Sequence, residues 1–70
     1  MISVEEIEKR FSYHAPKGDQ LERYEVLRSA AKQYAHLIAR LTPPSREQSL
    51  ALTHLEEAVM MANASIARNE

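Results

Sequence analysis

The sequence has no cysteine, no tryptophan and a single glycine among its 70 residues. Without cysteine there is no disulfide framework and no thiolate metal site. The three histidines, His14, His36 and His54, are scattered without metal-ligand spacing. One glycine excludes a glycine-rich phosphate loop or dinucleotide turn, and no Ser-His-Asp arrangement supplies a nucleophile. No apolar run approaches the roughly 20 residues that span a bilayer. The opening Met1-Ile2-Ser3-Val4-Glu5-Glu6 is acidic and lacks the basic region and apolar core of a secretory signal. Charge of one sign is also missing: nine Lys and Arg against ten Asp and Glu leave a net charge of −1, so the chain as a whole is no polyanion binder.

These absences constrain how so short a chain becomes stable. Seventy residues make one domain whose own core is too small to be comfortable, and disulfides, a metal or partner subunits normally complete it. With the first two excluded, self-association remains. A hydrophobic share of 44% against 27% charged residues is globular rather than disordered. The expectation is a cytoplasmic, soluble, self-associating protein with no cofactor.

What punctuation exists divides the chain cleanly. Gly18, Pro16, Pro43 and Pro44 separate a short head, a long middle and a long tail. Ser3 followed by Glu6 reads as a capping box opening a short helix within residues 1–10. Residues 11–18 lack helical period and read as a loop, extended before Pro16. Asp19 with Glu22 reads as a second cap, and a helix is expected over 19–41. There Tyr24, Ala31 and Ile38 form one seven-residue series and Leu27, Tyr34 and Leu41 another. Ser45 with Gln48 reads as a third cap, with Thr42 before Pro43 as the alternative, and a helix is expected over 45–68. Its apolar series are Leu52, Val59, Ile66 and Leu55, Ala62. Two helices of about 22 residues, each roughly 33 Å long, joined by a short turn, must run antiparallel. The fold class is all-α: a short N-terminal helix followed by a long two-helix hairpin. Ala30, Leu37, Leu50, Ala58, Met60 and Met61 fall off the seam, which points to a second apolar face meeting other subunits.

Between Val26 and Arg46 there is no carboxylate, yet Arg28, Lys32, His36 and Arg40 follow one another at intervals of four. That spacing sets them on one gently drifting strip of the middle helix. Such a strip is either a solvated face, answered by Glu56 or Glu57 across the hairpin or by a neighbouring subunit, or a phosphate site. The loop before it sharpens the second reading. Phe11, Tyr13 and His14 place three rings within four residues, and Lys17 and Gly18 follow. Rings stack on nucleobases and cations neutralise phosphates, although Phe11 or Tyr13 can equally close the end of the hairpin. Enzyme signatures are absent. Glu56 and Glu57 point to different sides of a helix, and His54 with Glu57 reads as a surface pair. Helix-turn-helix DNA binding fits poorly, because the third helix is apolar or small where a recognition helix is polar.

The segment Phe11-Ser12-Tyr13-His14-Ala15-Pro16-Lys17 resembles the entry segment of the phage anti-CBASS cyclic-oligonucleotide sponges, CBASS being the bacterial cyclic-oligonucleotide-based antiphage signalling system. The tail resembles them more closely still: Pro43-Pro44-Ser45-Arg46-Glu47, Ser49 to Thr53, Leu55 to Met60, Ala62-Asn63-Ala64 and Ile66 to Asn69. The helical hairpin is shared with the phage anti-Thoeris sponges, which capture a cyclic ADP-ribose signal. The resemblance covers residues 11–70. It implies a homohexamer in the cytoplasm of an infected bacterium that sequesters cyclic dinucleotides and cyclic trinucleotides without cleaving them. It implies no polymeric DNA or RNA partner and no membrane. By resemblance, Tyr13, with His14 and Lys17 beside it, and Arg28 belong to a cyclic-dinucleotide pocket, Arg28 standing where relatives carry Lys. Arg68, with Asn69 beside it, and Ala30 belong to a second, trinucleotide pocket, Ala30 standing where relatives carry Thr.

Overall fold

The computed structural model describes all of residues 1–70 as three helices without a strand. Helix α1 runs Val4–Phe11, α2 Gln20–Leu41 and α3 Arg46–Asn69. Ser3 caps α1, its Oγ accepting from the Glu6 amide at 3.1 Å. Glu5 and Glu6 in the first turn, and Lys9 and Arg10 in the last, complement the helix dipole.

Helix α2 begins differently from the capping box read in the sequence. The Asp19 side chain makes no cap hydrogen bond; its carboxylate accepts from Arg23 Nε at 3.1 Å instead. The approach to the helix is turned by Gly18, whose φ of 58° is costly for any residue carrying a Cβ. At the other end, Thr42 leaves the helix in extended geometry, as a residue before proline must. Ser45, and not Thr42, caps α3: its Oγ accepts from the Gln48 amide at 3.1 Å. The Gln48 side chain reaches back to the carbonyl oxygens of Thr42 at 3.1 Å and Ala39 at 3.3 Å. That residue staples the turn which makes α2 and α3 antiparallel.

The seam between the long helices carries Tyr24, Leu27, Ala31, Ala35 and Ile38 from α2 against Leu52, Leu55, Val59, Ala62 and Ile66 from α3, all half-buried. Tyr34 and Leu41, expected on this seam, are 55% and 69% exposed. An α-helix advances 3.6 residues per turn, so the series begun by Leu27, at the margin of the contact line, drifts off it while Tyr24, Ala31 and Ile38 stay; Ala35 takes the place that Tyr34 vacates.

No apolar residue is fully buried, and the single buried residue is Gln20 at 3% exposure. The molecule measures 44 × 33 × 12 Å, and the short dimension is the diameter of one helix with its side chains. The chain is thus a single layer. Its accessible surface is 5731 Å², whereas a compact protein of this mass exposes about 4,450 Å². The excess includes Val4, Ile7 and Phe11 along one side of α1, and Met60 and Met61 on α3. Packed domains are built from two or more layers around a core. Light scattering at micromolar concentration is therefore expected to give a mass several times 8.0 kDa; a mass near 8.0 kDa with a helical circular dichroism spectrum would refute this.

Candidate functional site

The antiparallel hairpin returns the last turn of α3 to the first turn of α2, and Glu70 ties the two together. Arg23 donates to both Glu70 carboxylate oxygens, through Nη1 at 2.8 Å and also through Nη2. Gln20 Nε2 donates to the same carboxylate at 3.2 Å, and Lys17 Nζ donates to the Glu70 backbone oxygen at 2.8 Å. Gln20 Oε1 meanwhile accepts from the Lys17 amide at 3.1 Å. The clamp fixes the end of the loop that carries Tyr13 and His14.

Hydrogen bonding from Arg23, then from Gln20, holds the Glu70 carboxyl at about 2; hydrogen bonding to Glu70 in turn raises the Arg23 guanidinium above its ordinary value. A carboxyl depressed in the folded state stabilises it above its unfolded value and loses that effect as pH falls through the folded one. The clamp is thus complete above about pH 4.5 and released toward pH 2. In acid titration followed by tyrosine fluorescence, Glu70→Gln is expected to flatten the change over that window; an unaltered profile would show that the clamp does not titrate there.

Above the clamp lies an open groove of about 370 Å³. Tyr13 and His14 of the loop, Tyr24 and Arg28 of α2, Arg10 of α1, and Asn63 and Arg68 of α3 all line it. His14 is fixed by Nε2 at 2.8 Å from the Lys9 carbonyl oxygen. Tyr13 is 86% exposed. Arg28 pairs with Glu25 one turn earlier on α2. The rest of the cationic strip is unanswered: Lys32 and Arg40 make no ion pair, and neither Glu56 nor Glu57 reaches across. Glu57 pairs with His54 at 3.3 Å on the solvent side of α3.

Tyr13, His14, Arg28 and Arg68 therefore share one groove, while Lys17 is engaged at the clamp beneath it. Arg68 also donates to the Arg10 carbonyl oxygen at 3.4 Å and forms the wall between this groove and a neighbouring notch, which Lys9, Arg10 and Asn69 line. Ala30 is exposed on α2 and borders neither groove nor notch. Arg68 and Ala30 do not meet within one copy of the chain. Arg10, Tyr24 and Asn63 were not legible as site residues. Tyr24 follows the seam periodicity, and Arg10 and Asn63 reach the groove only through the placement of α1 and the end of α3.

The groove combines rings with arginines and contains no carboxylate in its lining. That set suits a flat, anionic ligand: guanidinium forks for phosphate and aromatic faces for bases. No group of three or more His, Asp or Glu side chains is placed to hold a metal, and no helix is long and apolar enough to cross a membrane. No curated protein and no solved structure matches the chain. A family profile described as Acb2/Tad1, hairpin domain, matches residues 3–67. The match reaches back through α1, eight residues further than the resemblance that begins at Phe11. The chain, all but its outermost residues matched, belongs to the Acb2/Tad1 hairpin family of anti-CBASS and anti-Thoeris sponges.

Proposed function

We propose that this protein is a phage anti-defence sponge that binds cyclic dinucleotides in the groove of Tyr13, His14, Arg28 and Arg10, and holds them intact. The convergence of Tyr13 and Arg28, fifteen residues apart in sequence, on one groove carries the reading. Tyr13 offers a stacking face and Arg28 a phosphate fork, with Lys17 adding positive charge nearby. A lone open groove leaves a ligand wet. A dissociation constant near 1 nM corresponds to about −12 kcal/mol, more than exposed ion pairs supply. Closure of the groove by another copy of the chain, in a homohexamer, removes bases and phosphates from water and provides the difference. The single-layer shape and the uncovered apolar side chains support such assembly. A second pocket for cyclic trinucleotides, using Arg68 and Asn69 of one copy with the Ala30 region of another, completes the proposal. Its site of action is the cytoplasm of the infected bacterium, upstream of CBASS effector activation.

Native mass spectrometry with cyclic dinucleotides, cyclic trinucleotides and cyclic ADP-ribose isomers tests the ligand class. Retention of a cyclic dinucleotide is expected; exclusive retention of a cyclic ADP-ribose isomer would assign the chain to the anti-Thoeris side of the family, and binding of none would reduce it to a structural helical oligomer. After prolonged incubation and heat denaturation, chromatography is expected to return the cyclic dinucleotide unchanged. A linear product growing with protein concentration would overturn sequestration.

A further inference from the structure

Asn63 holds an unused hydrogen-bonding group on the groove wall. Its Oδ1 is sealed from solvent and has no hydrogen-bond partner, a state that buried amide oxygens rarely keep. The other amide side chains in the packed regions are occupied. Gln20 bridges Lys17 and Glu70, Gln48 reaches Thr42, and Asn69 Nδ2 donates to the Ser65 carbonyl oxygen at 2.9 Å. Asn63 is half-buried with its oxygen sealed and unpaired, and the residue lines the same groove as Tyr13 and Arg28.

The rest of the wall explains what such a group adds. Arg10, Arg28 and Arg68 are donors only, already suited to phosphate. An exocyclic amino group of a base needs an acceptor, and a base edge that alternates donor with acceptor needs an amide. Adenine presents an amino donor beside a ring-nitrogen acceptor, the pattern an Asn side chain meets bidentately, whereas the corresponding edge of guanine presents two acceptors. Ala64 and Ala67 beside Asn63 keep that wall low enough for a flat ring. The torsion that turns the amide is soft, so the oxygen can swing toward a donor entering the groove.

We propose that Asn63 is the base-reading residue of this site and makes it select adenine-bearing cyclic dinucleotides over guanine-bearing ones. The inference rests on the sponge reading above and names its specificity. Isothermal titration of the wild type, Asn63→Leu and Asn63→Asp with cyclic di-AMP and cyclic di-GMP is the test, with oligomer mass and Tm measured alongside. The wild type is expected to favour cyclic di-AMP. Asn63→Leu is expected to lower that preference by about tenfold without lowering Tm, because it removes an unpaired buried group rather than a bond. Asn63→Asp, which keeps an acceptor, is expected to retain more of the preference than the Leu variant. An unchanged preference in a folded Asn63→Leu would overturn the inference and leave the sponge reading standing. A lower Tm or mass in both variants would overturn it too, by showing that the amide serves assembly. If the wild type binds neither ligand, the sponge reading itself falls.

Discussion

Tyr13→Ala and Arg28→Ala are each expected to weaken cyclic dinucleotide binding by well over 100-fold, about 2.8 kcal/mol. Tyr13 removes a stacking face worth about 1–3 kcal/mol per base. Arg28 removes a charge-assisted contact worth roughly 1.5–3 kcal/mol. A cyclic dinucleotide has a near two-fold shape, and in a pocket closed by two copies each substitution acts at both ends of the ligand. Neither change threatens the fold: Tyr13 and Arg28 are exposed in the free chain. Arg28 must leave Glu25 to meet a phosphate, so Glu25→Gln is expected to strengthen binding modestly. Arg68→Ala is expected to weaken binding at both sites, because Arg68 lines the groove as well as the notch beside it. Titration calorimetry after a check of oligomer mass measures each value. Wild-type affinity in both Tyr13→Ala and Arg28→Ala would place the pocket elsewhere.

Val59→Asp is expected to abolish the helical circular dichroism signal at 25 °C. Val59 lies half-buried in the seam, and that seam is the one extensive contact between helices in the chain. A carboxylate there replaces an apolar side chain of the seam, in a cavity that Ala31, Ala35, Leu52 and Leu55 line together with Arg28 and Lys32. Below about 70–80 residues a single core supplies at most about 3–5 kcal/mol, and losing the apolar contact while desolvating a charge costs a large part of that. Most of a helix's stability in a protein comes from packing its amphipathic face, which separated helices lose. Glu57→Ala, two residues away on the exposed side, is expected to stay within about 0.5 kcal/mol of the wild type. A Val59→Asp protein that keeps its helicity and melting temperature would show that the seam does not carry the fold.

The helices were legible because their signals are local. Ser3 and Ser45 cap what they precede, and the prolines stop what they follow. The antiparallel pairing needed no more than the short turn after Leu41. Asp19 misled, because a side chain that caps a helix can equally bind an arginine one turn on, and Arg23 offers Asp19 a charged Nε donor. Tyr34 and Leu41 misled because only the series of Tyr24, Ala31 and Ile38 stays on the contact line along the whole of α2, while the series begun by Leu27 drifts off it. The ring-and-cation loop stood out by composition alone. Arg10, Asn63 and the Glu70 clamp could not, since their neighbours lie about 50 residues away in sequence and single-chain periodicity carries no information on such pairs.

That distance has a consequence for the order in which the protein becomes competent. A ribosome emits Tyr13, Arg23 and Arg28 well before Asn63, Arg68 and Glu70. Until the latter emerge, the loop of Tyr13 is held only by its nearby contacts, His14 to Lys9 and Lys17 to Gln20, and the groove lacks its α3 side. The nascent chain thus passes through synthesis with its groove residues exposed but unassembled, and the groove is complete only when the last turn of α3 folds back onto the first turn of α2.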